Sequence, residues 1–183
     1  MSSETHPPSC TCREHPLPAS MGVHAALDAY LSENGFTKEA YDSATTTGSI
    51  FGRKIAVPNP PSHQRAIRLH DLQHVATGFG TDHPGEAELA AWQARRGIWG
   101  MGAYVAAIIA INVTLGLFIA PRRMLAAFKV PGSGGSLFVE RVEYERLLGG
   151  SVGELRDLLG IPAQGLANLP RRLHAHAPGN FAG

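Results

Sequence analysis

Residues 62–96 read SHQRAIRLHDLQHVATGFGTDHPGEAELAAWQARR. Leu69, Leu72, Val75, Ala76 and Phe79 fall on one side of a helical projection, so the spacing predicts a helix from about Ser62 to Thr77. Gly78-Phe79-Gly80 ends it. Thr81 or Asp82 can cap a second helix through Glu86, Leu89 and Trp92 to about Arg96. A turn this short returns the second helix antiparallel against the first. Two adjoining helices are therefore the expected centre of the molecule.

The other side of the first helix is loaded with ionisable groups. At about 100° per residue, His70, Asp71 and His74 lie within an arc of about 100°, and Glu86 follows His74 after eleven residues. Small residues at Ala90 and Gly97 let the helices approach, bringing the Glu86 carboxylate back toward the imidazoles. Neutral imidazole with ionised carboxylate suits a divalent transition metal, zinc first. His70, Asp71, His74 and Glu86 are thus the expected ligands, with His83 and Glu88 as spares. The competing reading has His70 and His74 as ordinary surface residues, Asp71 balancing Arg68 and Glu86 stabilising a helix N-terminus.

Working toward the N-terminus, Pro58, Pro60 and Pro61 impose a loop before Ser62, and Thr37 to about Thr47 reads as a short helix. Ser20 can cap a helix through Asn34 whose apolar stripe is Val23, Ala26, Leu27, Tyr30 and Leu31, with Gly35 beyond its end. Residues 1–19 are rich in Pro, Ser and Thr and read as a disordered arm. Cys10 and Cys12 lie there with His6 and His15 nearby, too close together to close a useful disulfide loop. That cysteine usage fits a reducing compartment, and the arm has no secretory apolar run, so a cytoplasmic address is expected.

Toward the C-terminus, Gly97 to Ala120 carries no charge and no histidine over 24 positions. As one helix it would measure about 36 Å, enough for a bilayer, yet its four glycines and the arginine pairs at both ends favour a buried or membrane-touching helix over a span. Gly100, Gly102, Ala103, Ala106 and Ala107 could line an apolar groove or simply pack. A Pro131-to-Gly135 loop precedes a helix expected over Leu137 to Leu148. Ser151 with Glu154 makes a capping box for a last short helix, stopped by Gly160 and Pro162. Strands are absent from this reading apart from a short piece at Lys54 to Val57. The fold class is all-α: one mostly helical domain over 20–164, an arm over 1–19 and an irregular tail over 165–183.

Composition narrows function further. In 183 residues, 17% are charged and the formal charge is +1, which supplies no field for holding nucleic acid. At 44% hydrophobic residues the chain can build a core of ordinary size.

The pattern His70-Asp71-x-x-His74, eleven residues, Glu86 resembles the Coq4 family of ubiquinone-biosynthesis proteins. A second signature agrees: Tyr144-Glu145-Arg146, then Leu155-Arg156-Asp157-Leu158-Leu159-Gly160-Ile161-Pro162. His74-Val-Ala-Thr-Gly78 and Gly85-Glu86 extend the likeness to approximately residues 36 to 164.

The resemblance implies a helical fold, a zinc-type site on those four residues, and a lyase-type oxidative decarboxylation at C1 of a polyprenylated 4-hydroxybenzoate. Because zinc has no redox chemistry, Fe2+ in the same ligands is the alternative. The implied partners are the polyprenylated aromatic substrate, the membrane surface and other quinone-biosynthesis enzymes. Peripheral attachment to the inner face of the cell membrane and a homo-oligomer are both compatible with it. Two other functions compete. One is a non-catalytic lipid- or polyprenyl-binding scaffold. The other is an HD-type metal phosphohydrolase, which needs a further upstream His, from His24 or His63, and a later Asp such as Asp157.

Overall fold

The computed structural model describes residues 16–50 and 53–167, with the backbone alone over 48–50 and 53–55. The described chain is mostly helical, with one two-stranded sheet. Its helices are α1 (Val23–Asn34), α2 (Pro61–Thr77), α3 (His83–Arg96), α4 (Ala103–Ile119), α5 (Pro121–Phe128), α6 (Tyr144–Leu148) and α7 (Val152–Leu158). The all-α expectation holds for the body of the molecule. Most of the expected arm and tail lies outside the described residues, including Cys10 and Cys12 with His6 and His15.

Both ends of the body are fastened more widely than expected. Leu17 packs against Ala26, Val75 and Val152, and Ala19 O accepts from Gly153 N at 2.8 Å. At the other end Leu166 is buried, and its N–H donates to Thr77 O at 2.7 Å. Residues before 20 and beyond 164 thus pack on the helical body.

Helix α2 is the centre, buried on both sides: Leu69, Leu72, Val75 and Ala76 join the core while Asp71, Gln73, His74 and Thr77 are also covered. Proline suits its first turn because the missing N–H has no acceptor there, so α2 opens at Pro61 rather than Ser62. Gly78, at φ 76°, closes it in the left-handed conformation that only glycine adopts without strain. Asp82 caps α3, its carboxylate accepting from Gly85 N at 2.9 Å. Against α3 lie α4 and α5, and Trp92 and Leu89 of α3 are fully buried. The α3–α4–α5 junction is close at Gly116, where a Cβ would strike Met124 and come within 2.6 Å of Ala87 Cβ.

Three expectations change. Thr37 to Thr47 is not a helix: a single 3-10 turn (Lys38–Asp42) leads into strand β1 (Thr45–Ile50), which pairs antiparallel with β2 (Arg53–Pro58). The β-branched Thr45-Thr46-Thr47 run prefers the extended form once a partner strand is present, and the piece at Lys54 to Val57 is that partner. Leu137 to Leu148 is helical only over α6. Leu137 N donates to the Gln73 side-chain oxygen Oε1 at 3.3 Å, and the Ser136 hydroxyl accepts from Phe138 N, which hold the first part as a turn. Finally, Gly97 to Ala120 is broken by a 3-10 turn (Trp99–Met101) and by Gly102 at φ 88°. Helix α4 keeps 17 residues, and no helix among the described residues is long and apolar enough to cross a membrane.

Candidate metal centre

The first turn of α3 faces the second half of α2 across the Gly78–Gly80 turn, and this carries Glu86 to the imidazoles. Glu86 Oε1 stands 3.2 Å from His74 Nε2, and Glu86 Oε2 stands 3.4 Å from His70 Nε2. The two rings meet edge to face with centroids 4.6 Å apart. One donor atom from each of His70, His74 and Glu86 lies within 4.8 Å of the others. Donors at about 2.0–2.1 Å from a tetrahedral ion stand about 3.3–3.4 Å apart, and each imidazole Nε2 stands at about that distance from a different Glu86 oxygen.

His74 shows how the site is prepared. Its side chain is 0% exposed, and its Nδ1 lies 3.0 Å from Phe79 O. A carbonyl can only accept, so Nδ1 carries the proton in the neutral ring and Nε2 presents a bare lone pair. That buried Nε2 has no hydrogen-bond partner despite its nearness to Glu86. A cation fits this orphaned atom and this donor chemistry: His70, His74 and Glu86 can hold a metal ion.

Electrostatics point the same way. Burial alone would lower the His70 pKa, but Glu86 and Asp71 beside it outweigh burial and push it up to about 10. Burial likewise opposes the Glu86 charge, and the two imidazoles overcome it, holding the carboxyl well below its ordinary range. Without a metal, a proton on His70 takes the cation's place beside Glu86.

Asp71 is placed differently from the other three. Its Oδ1 is 3.6 Å from His70 Nδ1, the ring nitrogen facing away from Glu86. Its Oδ2 accepts from the Tyr41 hydroxyl at 2.6 Å, and Oδ1 from the Tyr30 hydroxyl at 3.4 Å. Thus His70, His74 and Glu86 converge, and Asp71 stands behind His70. Burial, reinforced by the Asp71 carboxylate, raises both tyrosine pKa values well above the ordinary range. Tyr144, from the second signature, lies near enough for burial and Asp71 to push its pKa up to about 12.

None of the spare candidates joins the cluster. His83 is exposed at the start of α3, and Glu88 is buried in an ion pair with Arg123 at 2.7 Å. His24 is exposed and bonded to Asp28 and Lys38, while Asp157 is exposed on α7. His63 is buried two turns before His70, its ring edge-on to Tyr104, and also stands outside the cluster. Of the small residues proposed for a groove, Ala106 is buried and Gly100 abuts the Phe138 carbonyl, both in packing roles.

Sequence reasoning missed Tyr30 and Tyr41. Tyr30 counted as one position of an apolar stripe, Tyr41 as part of a short helix, and neither is near Asp71 along the chain. No local pattern joins residues 41 and 30 positions apart. A scan of family models and searches of curated proteins and solved structures each find no match to this chain.

Proposed function

We propose that this chain is a metal-dependent protein of quinone biosynthesis that removes the C1 carboxyl group of a polyprenylated 4-hydroxybenzoate oxidatively, leaving hydroxyl. The observation that carries the reading is the buried Nε2 of His74, without a hydrogen-bond partner and 3.2 Å from Glu86, with His70 alongside, on the spacing that resembles the Coq4 family. A divalent cation held by these residues would supply a Lewis acid for the substrate carboxylate. His70 and Glu86 keep side-chain exposures of 26% and 31%, so substrate reaches the site from their side while His74 stays sealed. Exchange of carboxyl for hydroxyl withdraws two electrons from the substrate: with water as the source of the hydroxyl oxygen, the carboxyl carbon leaves as carbon dioxide and dioxygen, the proposed acceptor, leaves as hydrogen peroxide. Zinc suits the donors; two imidazoles and one carboxylate are also a ligand set of Fe2+ enzymes that use dioxygen.

The prenyl tail calls for access to lipid. Supporting this, α4 turns Ile111, Leu117 and Phe118 outward, Phe118 at 82% exposure, and Arg122 follows at the start of α5. An apolar strip beside a cation fits peripheral docking on an anionic membrane surface. The same strip favours a second reading, the non-catalytic lipid-binding scaffold that organises other biosynthetic enzymes.

The test is release of carbon dioxide from a carboxyl-labelled prenylated hydroxybenzoate under air, comparing wild type with Glu86→Ala after zinc or Fe2+ loading. Turnover lost in Glu86→Ala supports the enzyme. Equal turnover by the two proteins refutes the catalytic role and leaves the scaffold.

A further inference from the structure

We infer that Asp71 is a positioning residue behind His70 rather than a fourth metal ligand, and that Tyr41 and Tyr30 hold its carboxylate in that place. The inference rests on the metal reading above and assigns roles to three residues within it.

Contacts rather than helix angle separate the two jobs. His74 projects about 40° from His70 and Asp71 about 60° beyond His74, all on one side of α2. The imidazoles meet Glu86 of α3, whereas the Asp71 carboxylate meets the tyrosines brought by α1 and the 3-10 turn. Both Asp71 oxygens are engaged there: Oδ2 accepts the short Tyr41 bond of 2.6 Å, and Oδ1 lies between the Tyr30 hydroxyl at 3.4 Å and His70 Nδ1 at 3.6 Å.

A carboxylate on the far nitrogen of a ligating imidazole orients the ring and strengthens its free lone pair. The tyrosines are themselves restrained. Arg68 lies over the Tyr41 ring at 5.3 Å, and the Tyr30 ring stacks on His74 at 5.6 Å and 20°. Tyr30 thus touches one ligand with its ring and the support of the other with its hydroxyl. A cation held by His70, His74 and Glu86 would have three protein donors, which leaves a four-coordinate ion able to take a carboxylate substrate.

Cobalt(II) serves as the probe, because its visible absorption reports donor set and coordination number without any turnover. Wild type, Tyr41→Phe, Tyr30→Phe, Asp71→Asn and the Tyr41→Phe/Asp71→Asn pair are titrated, with His74→Ala as the ligand-loss control. Expected is one equivalent bound with the wild-type absorption band in Tyr41→Phe and Asp71→Asn, about 10- to 100-fold more weakly. The double variant should be no weaker than the weaker single, since both changes release the same carboxylate; Tyr30→Phe should show a smaller loss. A changed band or lost equivalent in Asp71→Asn, with Tyr41→Phe equal to wild type, would show Asp71 to be a ligand and overturn the inference. Wild-type affinity in Tyr41→Phe with wild-type binding by Asp71→Asn overturns it as well, leaving the metal site standing. No cobalt uptake by wild type removes the metal reading itself.

Discussion

At His70, burial and two carboxylates pull in opposite directions, and the carboxylates win. With its pKa near 10 in the metal-free protein, His70 holds its proton at neutral pH, whereas a metal takes the imidazole neutral. Loading at pH 7 should therefore release about one proton, and affinity should weaken about tenfold for each unit that pH falls. Calorimetry in buffers of different ionisation enthalpy measures the proton directly; a buffer-independent heat would contradict the assignment. The same shift has a stability sign: the pKa is raised on folding, so the protonated His70 stabilises the metal-free fold fully below about pH 6.5, its unfolded value, and that contribution fades as pH rises toward 10. A second residue acts at a distance. Arg156 is fully buried, and its guanidinium donates to the Ala76 carbonyl at the end of α2 and to the Ala163 carbonyl. Arg156→Met keeps much of the packing but strands both acceptors, so urea denaturation should show a loss of about 3 kcal/mol.

Among the elements, those set by local chemistry were legible before the structure. Gly35 ends α1 at φ 68°, Asp82 caps α3, and Ser151 and Glu154 form the capping box of α7 in both directions. Ser151→Ala should cost about 1 kcal/mol, read as a lowered thermal midpoint. Elements defined by partners were not legible. Ser20 does not cap α1: Met21 N turns back to Pro18 O, and Gly150 O takes the Val23 N–H at the helix start. The strand over Thr45–Ile50 exists because Arg53–Pro58 pairs with it. Helix α4 was legible as apolar but not in its limits or its faces. Val105, Ala106 and Ile109 enter the core while Ile111, Leu117 and Phe118 remain outside. Gly116 marks the inner side, so Gly116→Leu should overpack against Met124 and Ala87 and cost about 1–3 kcal/mol. Phe118→Ser should leave thermal stability near wild type and reduce flotation with anionic vesicles. Unchanged flotation would remove the membrane role of this face.

Across the whole molecule, the metal ligands tie α2 to α3 at the point where α1 and the 3-10 turn also arrive. A bound ion should therefore stabilise the entire fold. At a free concentration a hundred times the dissociation constant, linkage supplies about 2.7 kcal/mol, about 5–10 °C for a chain of this size. Differential scanning calorimetry with and without chelator measures it, and the increment should vanish in His74→Ala.

By itself the sequence determined the helical class and the α2–α3 pair, and it pointed to His70, Asp71, His74 and Glu86 together, of which the structure gathers His70, His74 and Glu86, because helical periodicity, caps and a short antiparallel return all operate within a few residues. Tertiary structure alone decided that Asp71 faces two tyrosines rather than Glu86, that the long apolar stretch breaks before α4, and that Arg156 secures the end of α2. The Asp71 and Arg156 outcomes depend on groups brought together from 30, 41 and 80 positions away, whose encounter is fixed by packing and not by any local pattern.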